Sequence, residues 1–185
     1  MIRREFRQAL EAQHNVLLAL WVIFACGILI YIAVAQIFLA DRQLAISYAF
    51  AQTAKMFIWF LTFVDIATLF WWKRRFLTNE AILGGAKRYK VLQALQGHKG
   101  ESEERAAAFV SSYVTGKVVA FALAEAVAIY GFALVLTSHY FVGQYILSIG
   151  SGLLLLLEFP SRGFLTDLVD AAETNRRSFN NEETA

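Results

Sequence analysis

A chain of 185 residues that is 58% hydrophobic, with a mean hydropathy of +0.49, is too apolar for a soluble domain of its size, which holds about 45–50% apolar and about 25% charged residues. Only 17% is charged here, and a net charge of +2 is too small to argue for a nucleic-acid partner. The single cysteine, Cys26, excludes an internal disulfide framework and a multi-cysteine zinc site; its place inside an apolar run predicts a buried, inert thiol.

Residues 1–15 form a short N-terminal segment carrying Arg3, Arg4 and Arg7. The first apolar run, 16–40, is broken only by Gln36. Arg3, Arg4 and Arg7 resemble the charged end of a signal peptide, and Ala33-Val34-Ala35 resembles a cleavage site. The apolar stretch before that site exceeds the usual 7–15 residues and continues past it, so a retained first helix is expected. The second run, 46–72, contains Lys55 and Asp65; the third, 109–137, contains Lys117 and Glu125; the fourth is 140–158. A spanning helix needs about 20 mostly apolar residues to cross about 30 Å of hydrocarbon. Lipid cannot satisfy an open backbone, and there is no strand alternation suited to a barrel. The expectation is an all-α integral membrane protein with four transmembrane helices.

The connections at Asp41-Arg42-Gln43 and at Ser138-His139 are short, which predicts two antiparallel hairpins. Between them lies a longer loop, 73–108. Residues 81–96 read as a helical segment punctuated by Gly84-Gly85 and ended by Gly97-His98-Lys99-Gly100. Ser102, followed by Glu103 and Glu104, makes an N-cap and acidic first turn, from which the third helix runs straight into the membrane. Pro160 stops the fourth helix. In the tail, 159–185, Phe164, Leu165, Leu168, Val169 and Ala172 repeat at helical spacing, as for a short helix on the membrane surface, and the last polar residues are expected to be disordered.

Lysine and arginine set the orientation. They gather before the first helix, in the 73–108 loop (Lys73, Arg74, Arg75, Lys87, Arg88, Lys90, Lys99, Arg105) and after the fourth helix (Arg162, Arg176, Arg177). The other two connections hold only Arg42 and His139. Both termini are therefore expected in the cytoplasm and the protein in the inner (cytoplasmic) membrane, with Trp71 and Trp72 as an interfacial anchor. A faint internal repeat relates Arg162-Gly163-Phe164-Leu165-Thr166-Asp167 to Arg74-Arg75-Phe76-Leu77-Thr78-Asn79.

Four ionisable residues fall inside apolar runs: Lys55, Asp65, Lys117 and Glu125. A charge near the bilayer centre costs roughly 2.5–3.5 kcal/mol on insertion scales, so such residues face the bundle and find partners. Depth along the helices predicts two cross-helix pairs, Lys55 with Glu125 and Asp65 with Lys117. These pairs either only set the register of helices two and three, or leave Glu125 to exchange a proton. Glu158, at the cytoplasmic end of the fourth helix, is expected to meet water.

The segment Ala122-Leu123-Ala124-Glu125-Ala126-Val127-Ala128-Ile129-Tyr130-Gly131 resembles the carboxylate helix of the rotary ATP synthase c subunit, the proteolipid family. The resemblance covers about a tenth of the chain and implies that Glu125 is an ion-binding carboxylate. The rest departs from that family: helices one and two lack repeated glycines, and Ala126 stands where a sodium site would need a hydroxyl. The layout is more similar to small bacterial four-span membrane proteins with two proteolipid-like hairpins, the second closing in a leucine run and Phe-Pro, as in Leu153 to Leu157 and Phe159-Pro160 here. That resemblance implies no activity.

His14, His98 and His139 lie at membrane edges or in a loop, so no two can clamp a haem, and no metal-ligand spacing is present. No cofactor or metal is expected. The functional expectation is a non-enzymatic structural or accessory component of a membrane complex or homo-oligomer, with a proton-handling protein centred on Glu125 as the alternative.

Overall fold

A computed structural model of the chain describes residues 4–40, 47–78, 82, 101–161 and 163. Four helices account for the regular structure among them: Arg4–Leu39 (α1), Tyr48–Phe76 (α2), Glu101–Ser138 (α3) and Phe141–Leu157 (α4). Three segments are long and apolar enough to cross a membrane, namely Gln8–Leu39, Tyr48–Phe76 and Ala106–Ser138. The 17 residues of α4 are apolar but shorter, rising about 26 Å against about 30 Å of hydrocarbon. The expected helical segment 81–96 and the amphipathic stretch of the tail lie outside the described residues, apart from helical, fully buried Ile82.

The helices outrun the apolar stretches that announced them. α1 begins at Arg4 rather than at residue 16, because Phe6, Leu10, His14 and Leu17 form a buried stripe at helical spacing through the polar N-terminal segment. α3 begins at Glu101, one residue before the expected Ser102 cap and within the usual scatter of helix ends. The only proline, Pro160, lies just past the end of α4. Hydroxyls inside the helices bond back to the carbonyl four residues earlier, as at Thr62 to Ile58 (2.9 Å), Ser111 to Ala107 (2.6 Å) and Thr137 to Ala133 (2.7 Å). Each such bond satisfies a hydroxyl donor within an apolar helix.

The turn from α3 to α4 takes two residues. His139 has φ of 54° and its N–H donates to the Val135 carbonyl at 2.9 Å, a left-handed helix cap in a position where glycine is usual. The His139 ring meets the Phe141 ring edge-on at 4.9 Å. At its other end, α4 closes through a tightened turn, with Glu158 N–H donating to Leu155 and Phe159 N–H to Leu156.

The described residues fall into two compact units. One comprises those of Met1–Ala19, Lys73–Val118 and Pro160–Ala185; the other comprises those of Leu20–Trp72 and Val119–Phe159. In the first, Ala106, Ala107, Val110, Ser111 and Tyr113 of α3 are all buried, and Gly116 gives way to the Leu77 side chain. In the second, Ile58, Val127, Leu134 and Leu147 form a core flanked by Ile66, Tyr130, Ala133, Tyr140 and Leu154. Gly131 lets α4 approach closely: a Cβ there would meet the Gln144 carbonyl and the Leu147 Cβ at 3.1 Å. Trp21 donates its indole N–H to the Leu155 carbonyl at 2.8 Å and stands edge-on to Phe159, while Gln36 reaches the Tyr145 hydroxyl at 2.5 Å.

Two sequence expectations need correction. Cys26 is exposed rather than buried, because neighbouring Gly27, Ile28 and Tyr31 supply the inward face of α1 and turn residue 26 outward. Glu158 is only 1% exposed rather than solvated, because the tightened turn at the end of α4 folds it inward.

Candidate functional site

The Glu125 carboxylate of α3 is held against α1 within the second unit. Gly27 and Tyr31 are one turn apart on the inward face of α1, next to buried Ile28. Glu125 projects from α3 beside fully buried Ala124. The Tyr31 hydroxyl donates to Glu125 Oε1 at 3.1 Å. A Cβ on residue 27 would collide with that same oxygen, so the glycine forms the notch in which the carboxylate lies.

Tyr31 is itself fixed from two sides. Its ring stacks on Phe132 of α3, with centroids 5.9 Å apart and planes 30° apart. Its carbonyl accepts a hydrogen bond from Gln144 Nε2 at 3.0 Å, and Gln144 is fully buried on α4. One turn and two turns further along α4, Ser148 and Ser151 are also buried. Ser151 donates to the carbonyl of Ala124 at 2.7 Å, immediately before Glu125. The carboxylate, the tyrosine and the α4 polar stripe thus form one network joining three helices. Gln144 Oε1 and Ser148 Oγ, one turn apart, are buried without a hydrogen-bond partner. The first is an acceptor and the second a hydroxyl that can donate or accept, and leaving such a group unpaired costs about 1–3 kcal/mol unless water reaches it.

The expected partner of Glu125 is elsewhere. Lys55 Nζ lies over the ring of Tyr140, 4.5 Å from its centroid, a cation–π contact beside the α3–α4 turn. Thirteen residues of α3 separate Glu125 from the helix end at Ser138, a rise of about 20 Å. The two residues therefore form no ion pair among the described residues, and the sequence expectation that joined them is replaced by the bonds Glu125–Tyr31 and Lys55–Tyr140. Asp65 is buried in the second unit, with Oδ2 lacking a hydrogen-bond partner. Lys117 belongs to the first unit, where its Nζ lies 5.9 Å from the centroid of the Tyr113 ring.

Sequence reasoning singled out Glu125 but missed Gly27, Tyr31, Gln144, Ser148 and Ser151. A signal for each was present. Gly27 is the only glycine in the first apolar run, with Tyr31 one turn on, and Gln144, Ser148 and Ser151 recur at positions i, i+4 and i+7 of a leucine-rich helix.

Among the described residues no group of three or more His, Cys, Asp or Glu side chains could hold a metal ion. No protein-family model, curated protein or solved structure matches the chain at a significant level. Chemically, the arrangement offers a half-buried carboxylate in contact with a neutral hydroxyl, within helices stitched by side chain-to-backbone bonds.

Proposed function

We propose that the chain is a four-span protein of the inner (cytoplasmic) membrane with both termini in the cytoplasm, acting as a non-enzymatic structural or accessory component of a homo-oligomer or larger membrane complex. Three long apolar helices and the apolar character of α4 support the spans. Antiparallel packing of α3 and α4 is supported by the falling order of α4 partners along α3: Ala124 with Ser151, Gly131 with Gln144 and Leu147, Leu134 with Gly143. The excess of lysine and arginine at the termini and in the 73–108 loop supports the orientation.

The observation that carries the structural reading is where the buried polar groups are spent. Trp21, Tyr31, Gln144 and Ser151 each bond from one helix to another within the second unit. Interhelical bonds of this kind are worth about 0.6 kcal/mol each and up to about 1.7 in membranes. They support the reading of a fixed scaffold of helices. Light scattering of the protein in mild detergent tests the assembly: a protein mass above the 20.8 kDa of one chain is expected. A strictly monomeric chain with no co-purifying subunit would remove this reading.

One observation favours the second reading, proton handling at Glu125. Its partner is the hydroxyl of Tyr31, while the ammonium of Lys55 lies over Tyr140. Carbodiimides react with protonated carboxyl groups in apolar surroundings. On the structural reading, no pH-dependent adduct forms on Glu125 in the folded protein. An adduct that weakens as pH rises and vanishes in Glu125→Gln would replace the structural reading with the proton-handling one.

A further inference from the structure

We propose that the pocket lined by Gln52, Lys55, Met56, Trp59 and Tyr140 binds the phosphate headgroup of an anionic phospholipid, with an acyl chain lying along α2 over Met56, Trp59 and Phe63. The pocket belongs to the second unit, has a volume of about 570 Å³ and opens to the outside of the protein. Lys55 is seven residues into α2, about 10 Å along the helix from its start. A lysine at this depth runs its stem along the helix and brings its ammonium toward the interface. Among the described residues that ammonium meets the face of Tyr140 and no carboxylate.

Among the described residues the lining supplies donors and no acid: the Lys55 ammonium, the Gln52 amide, the Trp59 indole N–H and the Tyr140 hydroxyl. An anionic oxygen would complete the solvation of the Lys55 ammonium at the interface. The face beside it selects an amphiphile. Gln52, Met56, Trp59 and Phe63 follow at i, i+4, i+7 and i+11 along one side of α2, where Met56 is 69%, Trp59 38% and Phe63 79% exposed. The donors stand at one end of this strip, and the apolar side chains continue from them toward the middle of the helix. A free phosphate would use only the first part; a phospholipid uses both.

Native mass spectrometry of the delipidated full chain in mild detergent tests the site, by titration with phosphatidylglycerol, phosphatidylcholine of the same acyl chains, and inorganic phosphate. The first phosphatidylglycerol is expected to bind about five- to tenfold more tightly than phosphatidylcholine, the worth of one lysine against an anionic headgroup. Lys55→Met should abolish that preference, and Lys55→Arg and the distant Lys73→Met should keep it. Equal affinity for the two lipids in the unaltered protein overturns the proposal even if Lys55→Met does not fold. So does a preference that survives Lys55→Met. Displacement of the lipid by inorganic phosphate at comparable concentration would reduce the site to one for a free anion and equally overturn it.

Discussion

Replacing Gly27 by alanine tests whether the notch in α1 holds the carboxylate of Glu125. The new Cβ would collide with Glu125 Oε1, and its next neighbours, Glu125 Cδ at 3.5 Å and Tyr31 Cε2 at 4.0 Å, are ordinary contacts. Only the carboxylate must therefore move, and in moving it gives up the 3.1 Å bond from the Tyr31 hydroxyl. A neutral hydrogen bond contributes about 0.5–1.5 kcal/mol and one to a charged group about 1.5–3 kcal/mol. Alanine recovers up to about 1 kcal/mol over glycine in a helix interior. The net expectation runs from about neutral to a loss of about 2 kcal/mol, read from unfolding of the detergent-solubilised protein. The decisive comparison is the same change in a Tyr31→Phe background. There the bond is already absent, so Gly27→Ala should be neutral or stabilising, and the two changes should couple by the worth of that bond, about 0.5–3 kcal/mol. Additive effects, agreeing within about 0.3–0.5 kcal/mol, would refute the placement of Glu125 in the notch.

Glu125→Gln keeps an acceptor for Tyr31 and strands no ammonium, so it should cost under about 1 kcal/mol, and its effect should add to that of Lys55→Met because the two residues have separate partners. Coupling between them in a double-mutant cycle would show that they do meet. Gly131→Val should destabilise by about 1–3 kcal/mol through overpacking against the α4 backbone, whereas Gly152→Ala, with nothing within 4 Å of its Cβ, should be harmless in the same unfolding assay. Cys26, exposed on an apolar helix, should be alkylated in membranes by a lipophilic maleimide and spared by a charged, membrane-impermeant one; rapid reaction with the charged reagent would place α1 in contact with water at that level.

Helical class was legible in the sequence because the physics behind it is one-dimensional. Backbone groups in hydrocarbon must bond within their own segment, so a long apolar run such as that in α1 already specifies a helix without knowledge of its neighbours. Where the helices end was less legible. The N-terminal extension of α1 depends on Phe6, Leu10 and Leu17 finding buried surroundings in the first unit, and that is a property of the packing. The charged residues show the same division. Composition marks Lys55 and Glu125 as costly, but charge alone suggests that opposite signs pair, and the structure sends Lys55 to an aromatic face and Glu125 to a phenol. An electrostatic partner is chosen by the vertical register of one helix against another. That register follows from close approach at small residues, here Gly27 beneath Glu125 and Gly131 beneath Gln144. Apolar sequence supplies no register signal of its own, since neighbouring turns of such a helix are nearly equivalent in lipid. The sequence by itself therefore determined the helices and their affinity for a membrane, and only tertiary structure decided which face of each turned inward and which polar groups met.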